Sequence, residues 1–540
     1  MPDPTTKTFG DLTITITPDG KTTEELSTIA QRALRQEPLL TMLKDTRHAL
    51  LSVTQFGQNL EAKSDATAPV SNFQAVIQDY TNRRTLRVTA ALASPERIAV
   101  EELADRPVLA VSEFEQAVRL VLSHDAFRGN SNAFTSYQAM PGVIGEQQDD
   151  GSFERILTIG LLPRNDSFRH EIVGVNLDTN AVIRFPNGAP PGSNAGFQTC
   201  GIAADANQQT VTSAAGQVWI TVKQGATTLW KFLAVRPAAS SGTRGSAVEL
   251  RFVDYKGKRV LYRAHVPILN VRYDADACGP YRDWQNQEGM IQAVGVDVAP
   301  GFRLCNAPAK TILESGTDTG NYLGTAIYVK GQEVVLVCEL QAGWYRYVSE
   351  WRLHSNGTIH PRFGFGAIKN SCVCNRHHHH AYWRFDFDIK TASNNLVREF
   401  NDPPLFGSSN WHDKKFEIKR FRDPARKRKW RVLNTASGDA YDIVPTPEDG
   451  EAMKSPDWPF GQGDVWVLRY HGNELDDGVN ITPGPAASVQ AHLDNFVNGE
   501  SVQNTDVVVW YAGHVVHDVH NDPPGVFGHF TGPLLVPAKW

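Results

Sequence analysis

Beyond residue 196 the sequence almost ceases to offer helices. Short segments such as VWITVK, LWKFLAV, AVELRFVDY, VLYRAHVPI, TAIYVK, EVVLVCEL, YWRFDFDI, KWRVLN, DVWVLRY and DVVVWYAGHVV follow one another to residue 540, separated by turn-forming residues. Successive side chains of a strand point to opposite faces, so alternating segments of this kind bury one face each. A long series of them without intervening helices predicts one large antiparallel β-sandwich over residues 191–540.

Upstream the pattern differs. TTEELSTIAQRALRQ (22–36) carries a Thr cap signal with Glu following and apolar residues at helical spacing. LLSVTQF (50–56), FQAVIQDY (73–80) and TLRVTAAL (85–92) then read as strands. The same order recurs, with an amphipathic helix at VSEFEQAVRLVLSHDAF (111–127) and strands at 155–163, 171–178 and 182–185. The prediction is two small α+β domains, residues 1–94 and 95–190, ahead of the sandwich, so the fold class is mainly β with α+β. FPNGAPPGSNAG (185–196) is the linker candidate. At 540 residues the chain is too long for a single core.

With a net charge of −6 the chain has no global basic field, which argues against a nucleic-acid partner. ARKRKWR (425–431) reads as a solvated strand edge. No run of eighteen apolar residues occurs, so no membrane helix is expected. The opening MPDPTTKTFGDLTITITPDG lacks the basic and apolar regions of a secretion signal. As written, the chain is expected in the cytoplasm, with an extracellular or periplasmic location left open, and the sequon at Asn480 matters only if it is secreted. Six cysteines are too few for a disulfide scaffold, leaving thiols or one incidental bridge.

The densest chemical signal is RHHHHAYWRFDFDI, Arg376 to Ile389. Its histidines are internal and flanked by a strand pattern, unlike a purification tag. On a strand His377 and His379 share one face and can reach one metal, while His378 and His380 face the other way. Asp386 and Asp388 place two carboxylates on one face farther along. A third imidazole has to come from elsewhere, and the histidine-rich end of the chain, with His514, His517, His520 and His529, offers candidates.

Here the sequence resembles the copper amine oxidase family. Asp506 to His517, with Trp510 between, is similar to that family's C-terminal strand, whose D-[IV]-V-x-W pattern leads to the third copper histidine; by that register the ligand is His517. HHHHAYWRFDFD resembles the family's H-x-H strand and implies His377 and His379 as the other two ligands. RYHGNELDD, FVNGESVQNTDVVVW and KWRVLNTASGDAYDIVP agree in order, as do RNDSFRHEIVGVNLDTNAVIRF, VTQFGQNLEA and QDYTNRRTLRVTAAL upstream, so the likeness covers almost the whole chain. Three histidines suit Cu(II), and zinc would accept the same set; only the resemblance separates the two. It also implies a peripheral site for Ca²⁺ or Mn²⁺ at Asp386, Asp388 and Asp506 with the carbonyls of Phe387 and Val507. Solvent-facing carboxylates are the alternative there.

The family converts one tyrosine of an N-Y-[DE]-Y motif to topaquinone (TPQ). In GWYRYVSEWRLHSNGTI (343–359) the resemblance puts Tyr345 at that position and Tyr347 at the second tyrosine. Trp344 stands for the Asn and Arg346 for the acid, and an ordinary core tyrosine is the competing reading of Tyr345. Within VRYDADACGPYRDWQNQEGMIQAVG (271–295), Tyr273 fits the tyrosine that hydrogen-bonds the quinone. The base is either Glu288, favoured by spacing, or Asp283, favoured by residue type. Cys372 and Cys374 next to the histidines read as loop packing, with a soft copper ligand as the alternative.

The resemblance therefore implies a copper-containing oxidoreductase and homodimer that oxidises a primary amine with O₂ to an aldehyde, H₂O₂ and ammonia. The alternatives are a copper-only oxidase without the quinone, acting on a different and anionic substrate paired by Arg346, and a non-catalytic copper-binding homologue.

Overall fold

The structure is a computed structural model that describes residues 3–56, 63, 71–103, 107, 109–147, 153–164, 167–168, 171–184, 200–203, 215–242, 244–273, 280–370, 372–450, 463–475, 493–519 and 528–540. The linker candidate at 185–196, the sequon at Asn480 and His520 lie outside them.

The chain opens with a hairpin, β1 (Thr5–Phe9) and β2 (Leu12–Asp19), followed by helix α1 (Thr23–Ala33). The expected capping box is present: Glu25 N–H donates to Thr22 Oγ1 at 3.2 Å, and Thr22 N–H donates to Glu25 at 2.9 Å. Strands β3 (His48–Phe56), β4 (Asn72–Asp79), β5 (Arg84–Ala91) and β6 (Ala99–Leu103) form one four-stranded antiparallel sheet. Helix α2 (Val111–Ser123) packs on a second such sheet of β7 (Phe134–Gln147), β8 (Phe153–Pro163), β9 (Glu171–Asn176) and β10 (Ala181–Arg184). Each layer pair has its own apolar core. Tyr80 of the first unit and Arg155 of the second both bond the buried Glu113, joining the two.

The domain boundaries differ from the sequence expectation at two places. Strand β2 pairs with β11 (Gln217–Gln224), with Ile16 opposite Ile220, so the opening hairpin belongs to the sandwich and not to the first small unit. Its alternation explains why: Leu12, Ile14 and Ile16 bury completely, with threonines between them. Strand β6 extends the first unit past residue 94, and β7, unpredicted from the sequence, opens the second sheet.

Among the described residues the sandwich consists of an 11-stranded and a 12-stranded sheet. The first runs β1-β2-β11-β12 (Thr227–Val235)-β13 (Glu249–Tyr255)-β14 (Lys258–Tyr273) and onward through further strands. The second contains the meander β15 (Glu333–Ala342), β16 (Tyr345–His354) and β17 (Ile359–Ala367). Beyond β14 the first sheet continues with β18 (His377–Phe387), then β20 (Val507–His517), and then β19 (Val465–Arg469). Inward residues of both sheets share one core, in which Trp383, Phe385 and Tyr511 meet Tyr345, Tyr347 and Phe363. All eleven residues of β18 are buried, so both of its faces are covered.

Candidate metal centre

Strand β18 delivers His377 and His379 to the inner face because i and i+2 point the same way. Antiparallel pairing sets His377 directly opposite His517 of β20, which brings the third imidazole to the same spot. One ring nitrogen from each of the three lies within 4.8 Å of the others, and all three residues are buried. His377 Nδ1 donates to the Asn375 carbonyl, which leaves Nε2 as the lone-pair nitrogen, 3.1 Å from His517 Nδ1. His379 Nδ1 faces the Tyr347 hydroxyl at 3.3 Å, whereas its Nε2 is buried without a hydrogen-bond partner. Burial, reinforced by the neighbouring imidazoles, drives the His379 pKa far down, and burial brings that of His517 to about 3. Neutral imidazoles with an orphaned buried nitrogen are the donor set that a borderline metal such as Cu(II) or Zn²⁺ accepts.

Aromatic rings wall the cluster. The Phe365 ring stacks on His379 with centroids 3.8 Å apart. Tyr345, at the start of β16, stands edge-on to His379 at 4.6 Å, and its hydroxyl bonds His377 Nε2. The phenol thus lies at an atom that a metal would take. Tyr347 stacks beside Tyr345 at 5.4 Å and bonds Asp283 through its hydroxyl. Asp283, Tyr347 and His379 therefore form one connected chain. Asp283 is fully buried, its Oδ1 has no hydrogen-bond partner, and desolvation raises its pKa to about 8 against the opposing Tyr347 hydrogen bond.

The other sequence candidates fall as follows. Glu288, favoured by spacing as the base, is buried in a two-point ion pair with Arg236, which neutralises it and ties up both oxygens. The structure brings Asp283, and not Glu288, to the tyrosine pair. Tyr273 ends β14 opposite His377 in register, and its side chain lies outside the described residues. Trp344 is buried edge-on against Tyr137 of β7, with ring centroids 5.8 Å apart. Arg346 corrects one expectation: alternation turns it away from Tyr345 and Tyr347, and Asp318 pairs it at 2.7 and 3.1 Å in a buried bidentate contact. Its charge is already compensated, so an anionic substrate paired by Arg346 loses its basis.

The cysteines also differ from expectation. Cys374 is bonded to Cys200, and Cys372 is disulfide-bonded as well, so neither offers a thiolate to the metal. The bridge holds the turn carrying Asn375, whose carbonyl orients His377. On the outer face His380 and His514 meet through Nδ1 at 2.8 Å, and His514 Nε2 lies 3.1 Å from Asp464. Asp386, Asp388 and Asp506 converge as a second group, with Phe387 paired to Val507 between the strands. Their oxygens surround the Lys63 ammonium. Sequence reasoning missed Lys63, Phe365, Asn375 and Arg236, and of these only Asn375, two residues before His377, carried a local signal.

Residues 361–540 match the family described as copper amine oxidase, enzyme domain. A search of curated proteins gives no match. Among solved structures, the fold is similar to a copper-containing benzylamine oxidase from Hansenula polymorpha, with TM-score 0.59 and 12% identity, covering 94% of this chain and 96% of that one. It is also similar to a lysyl oxidase from Pichia pastoris, with TM-score 0.57 and 10% identity over 95% and 89% of the two chains. An Aspergillus nidulans amine oxidase gives TM-score 0.52 and 13% identity over 96% and 88%. At such identities the likeness is one of fold.

Proposed function

From a chain whose residues 361–540 match the copper amine oxidase enzyme domain, we propose a copper-dependent oxidase that converts a primary amine to an aldehyde, with O₂ as oxidant and H₂O₂ and ammonia as co-products. The observation that carries this reading is the Tyr345 phenol against the three-histidine cluster, its hydroxyl at His377 Nε2. His377 and His379 through Nε2, with His517 through Nδ1, would hold the copper. Copper and a quinone made from Tyr345 would supply the two-electron oxidation of the amine and the return of those electrons to O₂.

The chain's own residues account for the rest. Asp283 is the base that removes the proton α to the amine nitrogen, because burial poises its carboxyl near the working pH. Tyr347 fixes Asp283 and His379 relative to each other through one hydroxyl. Phe365 and Trp344 exclude water from the ring cluster and restrict how far the Tyr345 ring can turn. The active assembly is proposed to be a homodimer.

Mass spectrometry of the Tyr345 peptide, after loading the apoprotein with Cu(II) in air, tests this reading. A gain of two oxygens less two hydrogens at Tyr345, absent in Tyr345→Phe, is the expected result. An unmodified Tyr345 in copper-loaded protein would refute the quinone and leave a copper-only oxidase. In the active enzyme the rate should rise with pH through the raised Asp283 pKa. Asp283→Asn should lower it by about 10²–10⁴-fold in steady-state assays of H₂O₂ release.

A further inference from the structure

The carboxylates of Asp386, Asp388 and Asp506 come from one end of β18 and from the residue just before β20, on the face opposite the histidine cluster. Such a group is the expected holder of a hard cation. In this chain a cation is already there. Lys63 Nζ lies 2.7 Å from Asp386 Oδ1 and 2.6 Å from Asp388 Oδ1, and it also bonds Asp506 Oδ1. An ammonium has three N–H donors, and three carboxylates meet them one for one. Two aromatic faces complete the enclosure, with Tyr470 4.4 Å and Tyr262 5.0 Å from Nζ. The Lys63 side chain is only 9% exposed.

A calcium ion needs six to eight oxygens at about 2.3–2.6 Å. Its protein ligands would be the same three carboxylates, whose Oδ1 atoms already hold Nζ between them, so ion and ammonium compete for one place. Further positive charge surrounds the group, since the buried guanidinium of Arg384 reaches within 3.7 Å of Asp386 Oδ2 and Arg263 lies opposite Asp386 in register. A divalent ion would have to displace the Lys63 ammonium from its three carboxylates and then sit beside these guanidiniums. The residues present therefore do not fit a second metal.

We propose that the Lys63 ammonium is the resident cation of the Asp386–Asp388–Asp506 cluster, so that each chain holds one metal ion rather than two. Lys63 lies between β3 and β4, in the first small unit, and its three carboxylates lie on the sandwich, so the same contact latches the two together. This inference does not depend on what Tyr345 becomes.

Metal counting tests it. Copper-loaded full-length protein is dialysed against Mn²⁺ and then against metal-free buffer, and both metals are measured by elemental mass spectrometry, with Mn²⁺ also read by its spin resonance. Wild type should keep one copper and no manganese. Lys63→Ala, or Lys63→Met if the stem is needed to pack between Tyr262 and Tyr470, should keep one copper and gain one manganese, and adding Asp388→Asn should abolish that gain. Stoichiometric manganese in the wild type, lost in Asp388→Asn alone, overturns the proposal. So does a folded Lys63 variant that takes up none. Acetylation mapping of the wild type gives a second reading that needs no Lys63 variant. Lys63 should be shielded in the native protein and become reactive in Asp386→Asn/Asp388→Asn, and labelling of native Lys63 as fast as exposed lysines overturns the proposal.

Discussion

Strands β18 and β20 support two three-point clusters, one on each face of the same sheet, and the two are completed in opposite ways. On the inner face three imidazoles converge within the aromatic core, and burial holds the pKa values of His379 and His517 far below neutrality. Neutral donors can be buried without a counter-charge, so they can wait for an ion from solution. On the outer face three carboxylates converge, and buried anions without a cation are costly. There the chain supplies its own ammonium. Strand alternation can thus build a three-donor site on either side of a sheet. The charge of the donors decides whether the fold needs that site filled from within.

The sharpest way to break the contrast is His379→Ala. Copper affinity should fall by more than the roughly 100-fold seen when only an outer-shell partner is lost, read by equilibrium dialysis, with the shielding of Lys63 unchanged. Asp386→Asn should do the reverse. Removing one partner of a buried ion pair should cost about 3 kcal/mol in denaturant melts. Copper affinity should change by less than about threefold, because the clusters lie on opposite faces of the sheet.

The smallest effect is in pH, where a few degrees of melting temperature are expected for the apoprotein. His379 and His517 have folded pKa values below their unfolded ones, so their contribution is complete above about pH 6.5 and is lost as pH falls toward 3. Asp283 acts in the other direction: its folded pKa of about 8 exceeds the unfolded value, so stability declines as pH rises from about 4 to 8. Melting curves of Asp283→Asn should show a shallower alkaline decline, since buried Glu339 keeps its own share, and an unchanged acid one.

The sequence revealed what depends on local spacing. The pairing of His377 with His379, the facing of Asp386 and Asp388, the capping box at Thr22 and the long run of sandwich strands all follow from spacings of two or three residues. His517 was legible only through its resemblance to a known strand, because 140 positions separate it from His377. What stayed hidden was the identity of distant partners. Nothing near Glu288 announces Arg236, 52 positions away, and nothing near Asp386 announces Lys63, 323 positions away. The same blindness assigned β1 and β2 to the wrong unit, since a strand shows its buried face but not the sheet it joins.

That opening hairpin has a consequence for synthesis. Gln217 of β11 contacts Asp19 of β2 across 198 positions, so at about 5–20 residues per second the hairpin leaves the ribosome roughly 10–40 s before its partner strand exists. In that interval it presents an unpaired edge and a face of Leu12, Ile14 and Ile16. The threonines that alternate with them keep its other face polar. A truncated gene starting at residue 191 would lack the hairpin altogether and leave β11 as a bare edge, with aggregation the expected result.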